Sequence, residues 1–419
     1  MAGSEWGRAR LLPLVVLALA VLAILAVVSS GGSEPSLAAA PSGSWWDVSY
    51  AHRVQLTVTT GANDPFNGYG GYSASATVDT AALVTAGRLQ SDCDDLRVVR
   101  WNGAAWDELD RDLYSCNSAL TELWFKLQAG IAASSSDDNY YLYYDNAGAT
   151  AAPSNRSQVY LHYNDWSSDT LAQYAVGRQD DWIGTGTYTG FTWNSIDQRV
   201  DFDTGAGATG GLRLGTFGER DVYIEQLVRY TNCYAPDVTQ GPMARYSGDG
   251  TSSDNYYAFV QASSDGCDVA PYSSPAVQKD TRTDTGICAG AGGELALDGS
   301  THRQAFAIWG AGSTNLTGWI DATPRKPSET PDVTCADSTD HQNAGDVAWT
   351  FAQVAGSVDD LLVRRYTSPE PSIAIGVEEE PATATPTPTI TDTPTDTPTA
   401  TATDTPTNTP TDTPTDTPT

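Results

Sequence analysis

Residues 219–230, ERDVYIEQLVRY, carry the pattern that organises the chain. Val222, Ile224 and Val228 alternate with Tyr223, Glu225, Leu227 and Arg229, a period of two that predicts a β-strand. One face is apolar and has to be buried; the other carries an aromatic, an acid and a base. Upstream, Val54, Leu56 and Val58 alternate with Arg53, Gln55, Thr57 and Thr59 in the same way. Further strand signals lie at 72–78, 96–101, 123–128 and 140–144, separated by Gly, Asp, Asn and Ser. A second series follows at 160–163, 200–202, 212–214, 243–246, 256–261, 304–309, 317–321, 347–352 and 361–365. Sustained helical periodicity is missing, and a short turn at 80–87 is the one helical candidate. The pattern predicts an all-β chain of two antiparallel β-sandwiches, a small one over 44–152 and a larger jelly-roll-like one over 157–377.

Both ends depart from this pattern. Arg8 and Arg10 precede an apolar run over 11–28, followed by small and polar residues, with 36–38 as a cleavage candidate. Residues 1–40 therefore read as an N-terminal apolar helix, either a signal peptide or an uncleaved signal anchor just long enough to span a bilayer. Either way the folded part is expected outside the membrane, secreted or on the cell surface. From 381 to 419 threonine and proline alternate. Such a composition cannot bury a core and favours extended polyproline II, so a disordered stalk is expected. At ~3.1 Å per residue it reaches on the order of 120 Å.

Charge narrows the partners. Acids outnumber bases 52 to 22, for a formal charge of −30. That surface lacks the Lys and Arg clusters that displace counterions from phosphate backbones, so nucleic acid is excluded. Anionic lipid is disfavoured too, which leaves the N-terminal segment as the only expected membrane contact.

Six cysteines in a chain that reads as exported favour disulfides over metal. Cys93 and Cys116 share the first sandwich and are expected to pair, closing a loop worth about 3 kcal/mol in the entropic model. Cys233, Cys267, Cys288 and Cys335 allow three pairings, of which Cys267 with Cys288 and Cys233 with Cys335 is preferred. No C-x-x-C spacing occurs and the four histidines are scattered, so no zinc site is assigned.

The segments SWWDVSYAHRVQLTV, DDLRVVRWNGAAWDEL, ELWFKLQAG and NYYLYYDNAGA resemble domain of unknown function 2341 across most of 44–152. The resemblance implies a surface-protein module that commonly precedes a lectin-like sandwich, and no activity. Asp145-Asn146 stands where that family usually has Gly-Asn. Similarly, HYNDWSSDTLAQYAVG, NYYAFVQ, LTGWIDA and SVDDLLVRRY resemble the concanavalin A-like lectin/glucanase (laminin G-like) superfamily. SPEPSIAIGVEEE then reads as the run-out from that sandwich.

Glycoside hydrolases of that superfamily place paired carboxylates on one strand as E-x-D-x-x-E. Here Glu219, Asp221 and Glu225 share a strand parity, but the third carboxylate falls one residue late and Arg220 separates the first two. No serine nucleophile elbow, H-E-x-x-H, P-loop or dinucleotide fingerprint is present. No catalytic residue is therefore assigned. No cofactor is assigned either, although the Asp and Asn clusters at 249–255 and at Asp359-Asp360 offer oxygen ligands of the kind calcium takes. Trp45, Trp46, Trp101 and Trp106 read as core or rim packing rather than sugar platforms.

Sugar recognition wants an aromatic plane plus carboxylate or guanidinium partners for hydroxyls. The mixed face of the central strand supplies Tyr223, Glu225 and Arg229, and neighbouring strands supply Tyr257, Trp319 and Asp321. The expected function is an exported, non-catalytic, lectin- or adhesin-like module for a polysaccharide or a surface protein. A structural surface spacer is the alternative, and a glycoside hydrolase comes third.

Overall fold

The computed structural model describes residues 40–382, except 42, 64, 179–189, 206–208, 235–237, 248–254, 264–274, 280–284, 290–298, 322, 327–329 and 339–340. The expected N-terminal apolar segment (but for Ala40) and nearly all of the Thr-Pro tail lie outside the described residues. Among the described residues no helix is long and apolar enough to cross a membrane.

The first sandwich is built from β1 (His52–Thr59), β2 (Ser73–Val78), β3 (Arg97–Trp101), β4 (Trp106–Leu109), β5 (Arg111–Tyr114), β6 (Thr121–Lys126) and β7 (Ser136–Tyr144). The alternation in β1 places Leu56 and Val58 in a core shared with Val98, Leu123, Phe125, Tyr140 and Leu142. The 80–87 candidate is realised as helix α1 (Thr80–Thr85), capped by Asp79, whose carboxylate accepts the Ala82 N–H. Cys93 and Cys116 are bonded as expected. Trp45, Trp46 and Trp106 pack around Tyr143 on the outer face of the sheet, with the Arg53 guanidinium 4.5 Å from the Trp45 ring. Trp101, nearly buried, packs edge-on against Trp106, so all four tryptophans serve as packing residues.

Helix α2 (Arg156–Val159), capped by Asn155, joins the two sandwiches. The second contains β8 (His162–Asn164), β9 (Ala175–Arg178), β10 (Phe191–Asn194), β11 (Arg199–Asp203), β12 (Thr209–Glu219), β13 (Val222–Cys233), β14 (Val238–Ser247) and β15 (Asn255–Ser263). It continues with β16 (Pro275–Lys279), β17 (Thr285–Ala289), β18 (Thr301–Trp309), β19 (Thr314–Ile320), β20 (Val333–Asp337), β21 (Gly345–Ala352) and β22 (Val354–Arg365). One sheet runs β10-β11-β22-β13-β18-β19-β20, with β8 also on β22; the facing sheet runs β17-β16-β15-β14-β21-β12-β9. Every strand pair is antiparallel. Between the sheets, Val222, Ile224 and Val228 of β13 meet Phe259, Trp349, Phe351 and Val363.

Three expectations are corrected. Residues 219–230 are not one strand: Glu219 ends β12, Arg220 and Asp221 form the turn, and β13 starts at Val222. Cys288 bonds Cys335, not Cys267, because β16 pairs β17 in one sheet and β19 pairs β20 in the other, which brings these two edges together. Cys233 is disulfide-bonded as well, and Cys267 lies outside the described residues. Finally, the supposed run-out returns as β23 (Ser372–Glu379), which pairs β1 and completes a β23-β1-β7-β3-β4 sheet opposite β2-β6-β5. Ile373 packs onto the small core. The small sandwich is thus closed by a strand from beyond the large one.

Candidate functional site

The apolar alternation of β13 buries one face in the large core, so Tyr223 and Glu225 necessarily point out of the sandwich. That outward face is not open. Trp124 of β6 and Val159 and Tyr160 around α2 cover it, packing with Tyr223, Ala305, Ala307, Trp319 and Leu362. Tyr223 and Glu225 are fully buried and Trp319 nearly so.

Arg364 of β22 occupies the centre of this joint. Its guanidinium lies 4.8 Å from the Trp124 ring of the small sandwich and 4.5 Å from the Tyr223 ring of the large one. Both ends of the fork donate to Glu370, at 2.6 and 2.9 Å, and Tyr72 of the small core donates to the same carboxylate at 2.6 Å. Burial acts to lower the Arg364 pKa, but Glu370 and Tyr72 outweigh it and raise it.

Beside it runs a closed ring of polar contacts. Asp112 of β5 accepts from Arg156 Nε at 2.8 Å and Tyr160 Oη at 2.7 Å, and pairs with the Arg325 guanidinium at 2.5 Å. The Arg325 N–H donates to Glu225 at 2.6 Å, and Tyr223 Oη donates to the same carboxylate at 2.7 Å. Glu225 is also paired with Arg303, which reaches Asp360 at 3.6 Å; Asp360 accepts from Tyr163, and Tyr163 in turn accepts from Arg156. Burial, then the Glu225 charge, raises the Tyr223 hydroxyl pKa well above its usual value. Charges buried this way hold only while every partner is present.

The six expected ligand residues therefore fall into three places. Tyr223, Glu225 and Trp319 come together, but as the sandwich–sandwich joint, which corrects their reading as a ligand floor. Tyr257 sits in the facing sheet, buried in the large core, with its hydroxyl donating to Asp337 at 3.0 Å. Arg229 and Asp321 lie at the open end of the first sheet. There Arg229 Nε donates to the Gly299 carbonyl. The Asp321 carboxylate accepts the Arg303 N–H at 3.0 Å and faces His302 Nδ1 at 2.8 Å, while His302 Nε2 stands 2.6 Å from Ser300 Oγ.

The carboxylates weighed for hydrolysis are engaged elsewhere. Asp221, buried in the β12–β13 turn, accepts from Arg220 at 2.6 and 3.0 Å, from Arg245 at 3.0 Å and from the Gly310 N–H at 3.1 Å. Glu219 accepts from Arg365 at 3.0 Å. Of the 249–255 cluster only Asn255 is described. Among the described residues no group of three or more His, Cys, Asp or Glu side chains is placed to hold a metal ion. Asp359 is pushed up to about 6, chiefly by burial, with the Asp360 and Asp165 charges adding to it.

Sequence reasoning missed Arg364, Asp112, Arg325 and Glu370. The tandem Arg364-Arg365 at the end of an apolar strand in a base-poor chain was the available signal, since a base buried in a strand needs an acid partner. Also missed was a cleft of about 700 Å³ between the sandwiches, beside the Asp112 ring. Asp92, Asp94, Asn155, Asn164, Asp165 and Thr170 are among the polar residues that line it.

No protein-family model and no curated protein matches the chain. Several solved structures do. A protein of unknown function with a galectin-like fold from Bacillus subtilis is 11% identical, covering 49% of this chain and 95% of its own, at a TM-score of 0.32. A Bauhinia forficata lectin in complex with GalNAc gives 11% identity, 49% and 97% coverage and a TM-score of 0.32. An alginate lyase in complex with an alginate trisaccharide gives 10% identity, 46% and 88% coverage and 0.30. At these identities and scores none bears on what this chain binds, and the resemblance to domain of unknown function 2341 gains no support from a family model.

Proposed function

We propose that the protein is a surface-displayed carbohydrate-binding module whose ligand lies in the cleft between the two sandwiches. The observation that carries this reading is the cleft itself: its volume is in the range of small-ligand sites, and its walls offer carboxylate, amide and hydroxyl groups. Those are the partners that sugar hydroxyls take. The Asp112 ring holds both walls in place, so little ordering is needed on binding. Asp92, Asp94 and Asp165 disfavour polyanions, which points to a neutral or amine-bearing glycan. The N-terminal apolar segment and the Thr-Pro stalk would carry the module outside the cell, and its finer family reading remains a module like domain of unknown function 2341 followed by a concanavalin A-like sandwich.

A second reading, a structural spacer, is favoured by one specific observation, the Arg364 bolt, because a joint of that kind makes a stiff two-domain body without any ligand. A glycan array probed with the folded protein separates the two. Binding that is lost in an Asn155→Ala, Asp165→Ala variant and kept in Arg229→Ala supports the cleft. Absence of binding to every neutral and amine-bearing glycan, by protein shown to be folded, supports the spacer.

A further inference from the structure

We propose that Ser300, His302 and Asp321 form a serine nucleophile site for acyl transfer from carboxylic esters, at the open end of the first sheet of the large sandwich. The proposal is independent of the cleft. Ser300 and His302 are two residues apart where β18 begins, so their side chains share a face. Asp321 follows the last residue of the neighbouring β19, and its N–H donates to the Arg303 carbonyl at 2.7 Å. Its backbone is left-handed, φ +56°, a conformation that aspartate tolerates better than most residues. That turn aims the carboxylate at the imidazole.

The three groups are in hydrogen-bond sequence. Asp321 Oδ2 lies 2.8 Å from His302 Nδ1, and His302 Nε2 lies 2.6 Å from Ser300 Oγ. With the Nδ1 proton held by the carboxylate, Nε2 is the lone-pair nitrogen and the serine hydroxyl is its donor. That is the order of roles in a hydroxyl nucleophile, a general base and an orienting acid. The second Asp321 oxygen is fixed by the Arg303 N–H, so the carboxylate does not turn away.

The chain leading into the nucleophile is also fixed. Arg229, opposite Thr301 on β13, anchors its Nε on the Gly299 carbonyl, one residue before the nucleophile. A Cβ at Gly299 would lie 3.4 Å from Arg229 Nη2, and the glycine's φ of +77° is one that side chains rarely adopt. The guanidinium is thereby held on the Thr301 side of the strand, the face opposite His302, and fixes the backbone that enters the nucleophile.

In the first step Ser300 Oγ bonds to the ester carbon while its proton passes to His302 Nε2. The carbon–oxygen bond to the alcohol then breaks, and the alcohol leaves with the Nε2 proton. Water repeats the sequence in reverse: one proton goes to Nε2, its hydroxyl takes the acyl carbon, and Ser300 leaves with the proton. No oxidant, metal or further reactant enters. The site is at the surface, with Ser300 and Asp321 exposed, so it has little binding surface with which to align a poor leaving group. The substrate class is therefore an ester of a short acyl group rather than an amide. Asp321 acts through His302 and is a positioning residue; Ser300 and His302 touch the reacting atoms.

The test is labelling of the full chain by a fluorophosphonate probe, mapped by mass spectrometry, with p-nitrophenyl acetate hydrolysis in parallel. The expected result is an adduct on Ser300 that is lost in Ser300→Ala. Labelling slows at least 100-fold in His302→Ala and at least 10-fold in Asp321→Asn, and Asp321→Glu recovers part of the rate. Circular dichroism of each variant, expected to match the parent, excludes unfolding as the cause. No adduct on Ser300, or an adduct that forms equally fast in folded His302→Ala, overturns the proposal.

Discussion

The outward face of β13 has two ends with opposite fates. Toward Val222 the face is roofed by the small sandwich, and Tyr223 and Glu225 are sealed into a network with Arg364, Arg325 and Asp112. Toward Arg229 the same face is only partly covered, and Leu227 and Arg229 keep some solvent access. An aromatic, an acid and a base in alternation suit both settings equally well. What separates the ends is the cover, and the cover comes from residues about a hundred positions upstream. A mixed strand face is therefore evidence for specific polar partners and does not distinguish a ligand from another part of the same chain.

The largest effects belong to the sealed end. Arg364→Ala strands Glu370 and removes the cation between Trp124 and Tyr223, and Glu225→Ala strands Arg303; each is expected to cost about 3–5 kcal/mol in urea denaturation. Trp319→Ala is expected to cost a similar amount, about 3–5 kcal/mol, through the cavity it leaves. Losses near zero would mean that the small sandwich does not cover this face.

Next in size is a pH effect beside the joint. His162, half-buried with Nε2 2.6 Å from Tyr174 Oη, is lowered by burial from 6.5 to about 4. The unfolded chain then takes up this proton first as pH falls. Stability is expected to fall between pH 6.5 and 4 by about 3 kcal/mol from this group, and the slope should vanish in His162→Phe. Asp359 has the opposite sign, because a carboxyl raised to about 6 binds its proton more tightly when folded. Its contribution weakens as pH rises from about 4 to 6, so Asp359→Asn should raise Tm more at pH 7.5 than at pH 4. The smallest effect belongs to the open end. Asp321→Ala is expected to change stability by about 0.5 kcal/mol or less, as exposed pairs do.

Much of the fold was legible because period-two alternation is local. All ten strand signals of the large sandwich correspond to strands, as do Val54, Leu56 and Val58 in β1. Strands with short or weakly apolar signals, such as β9, β16 and β20, were not legible. The return of β23 was misread because Ile373, Ile375 and Val377 alternate correctly but nothing local names their partner, which lies more than 300 residues away in β1. The Cys288–Cys335 bond was misread for the same reason, since it depends on which sheet edges meet. At the site, residue types were legible and their convergence was not. Tyr223, Glu225 and Trp319 do converge, on Arg364 and Trp124 instead of a sugar, while Asp321 meets a histidine, itself beside a serine, that no spacing rule singles out.

The most direct measurement of the joint is hydroxyl-radical footprinting of the intact chain, read residue by residue. Tyr223, Trp319 and Trp124 are expected to be protected to the level of core aromatics such as Trp349, while Tyr114, which is 38% exposed, is modified readily. Modification of Tyr223 and Trp319 at the rate of Tyr114, in protein that remains folded, would contradict the burial of this face and return it to the role of an open ligand surface.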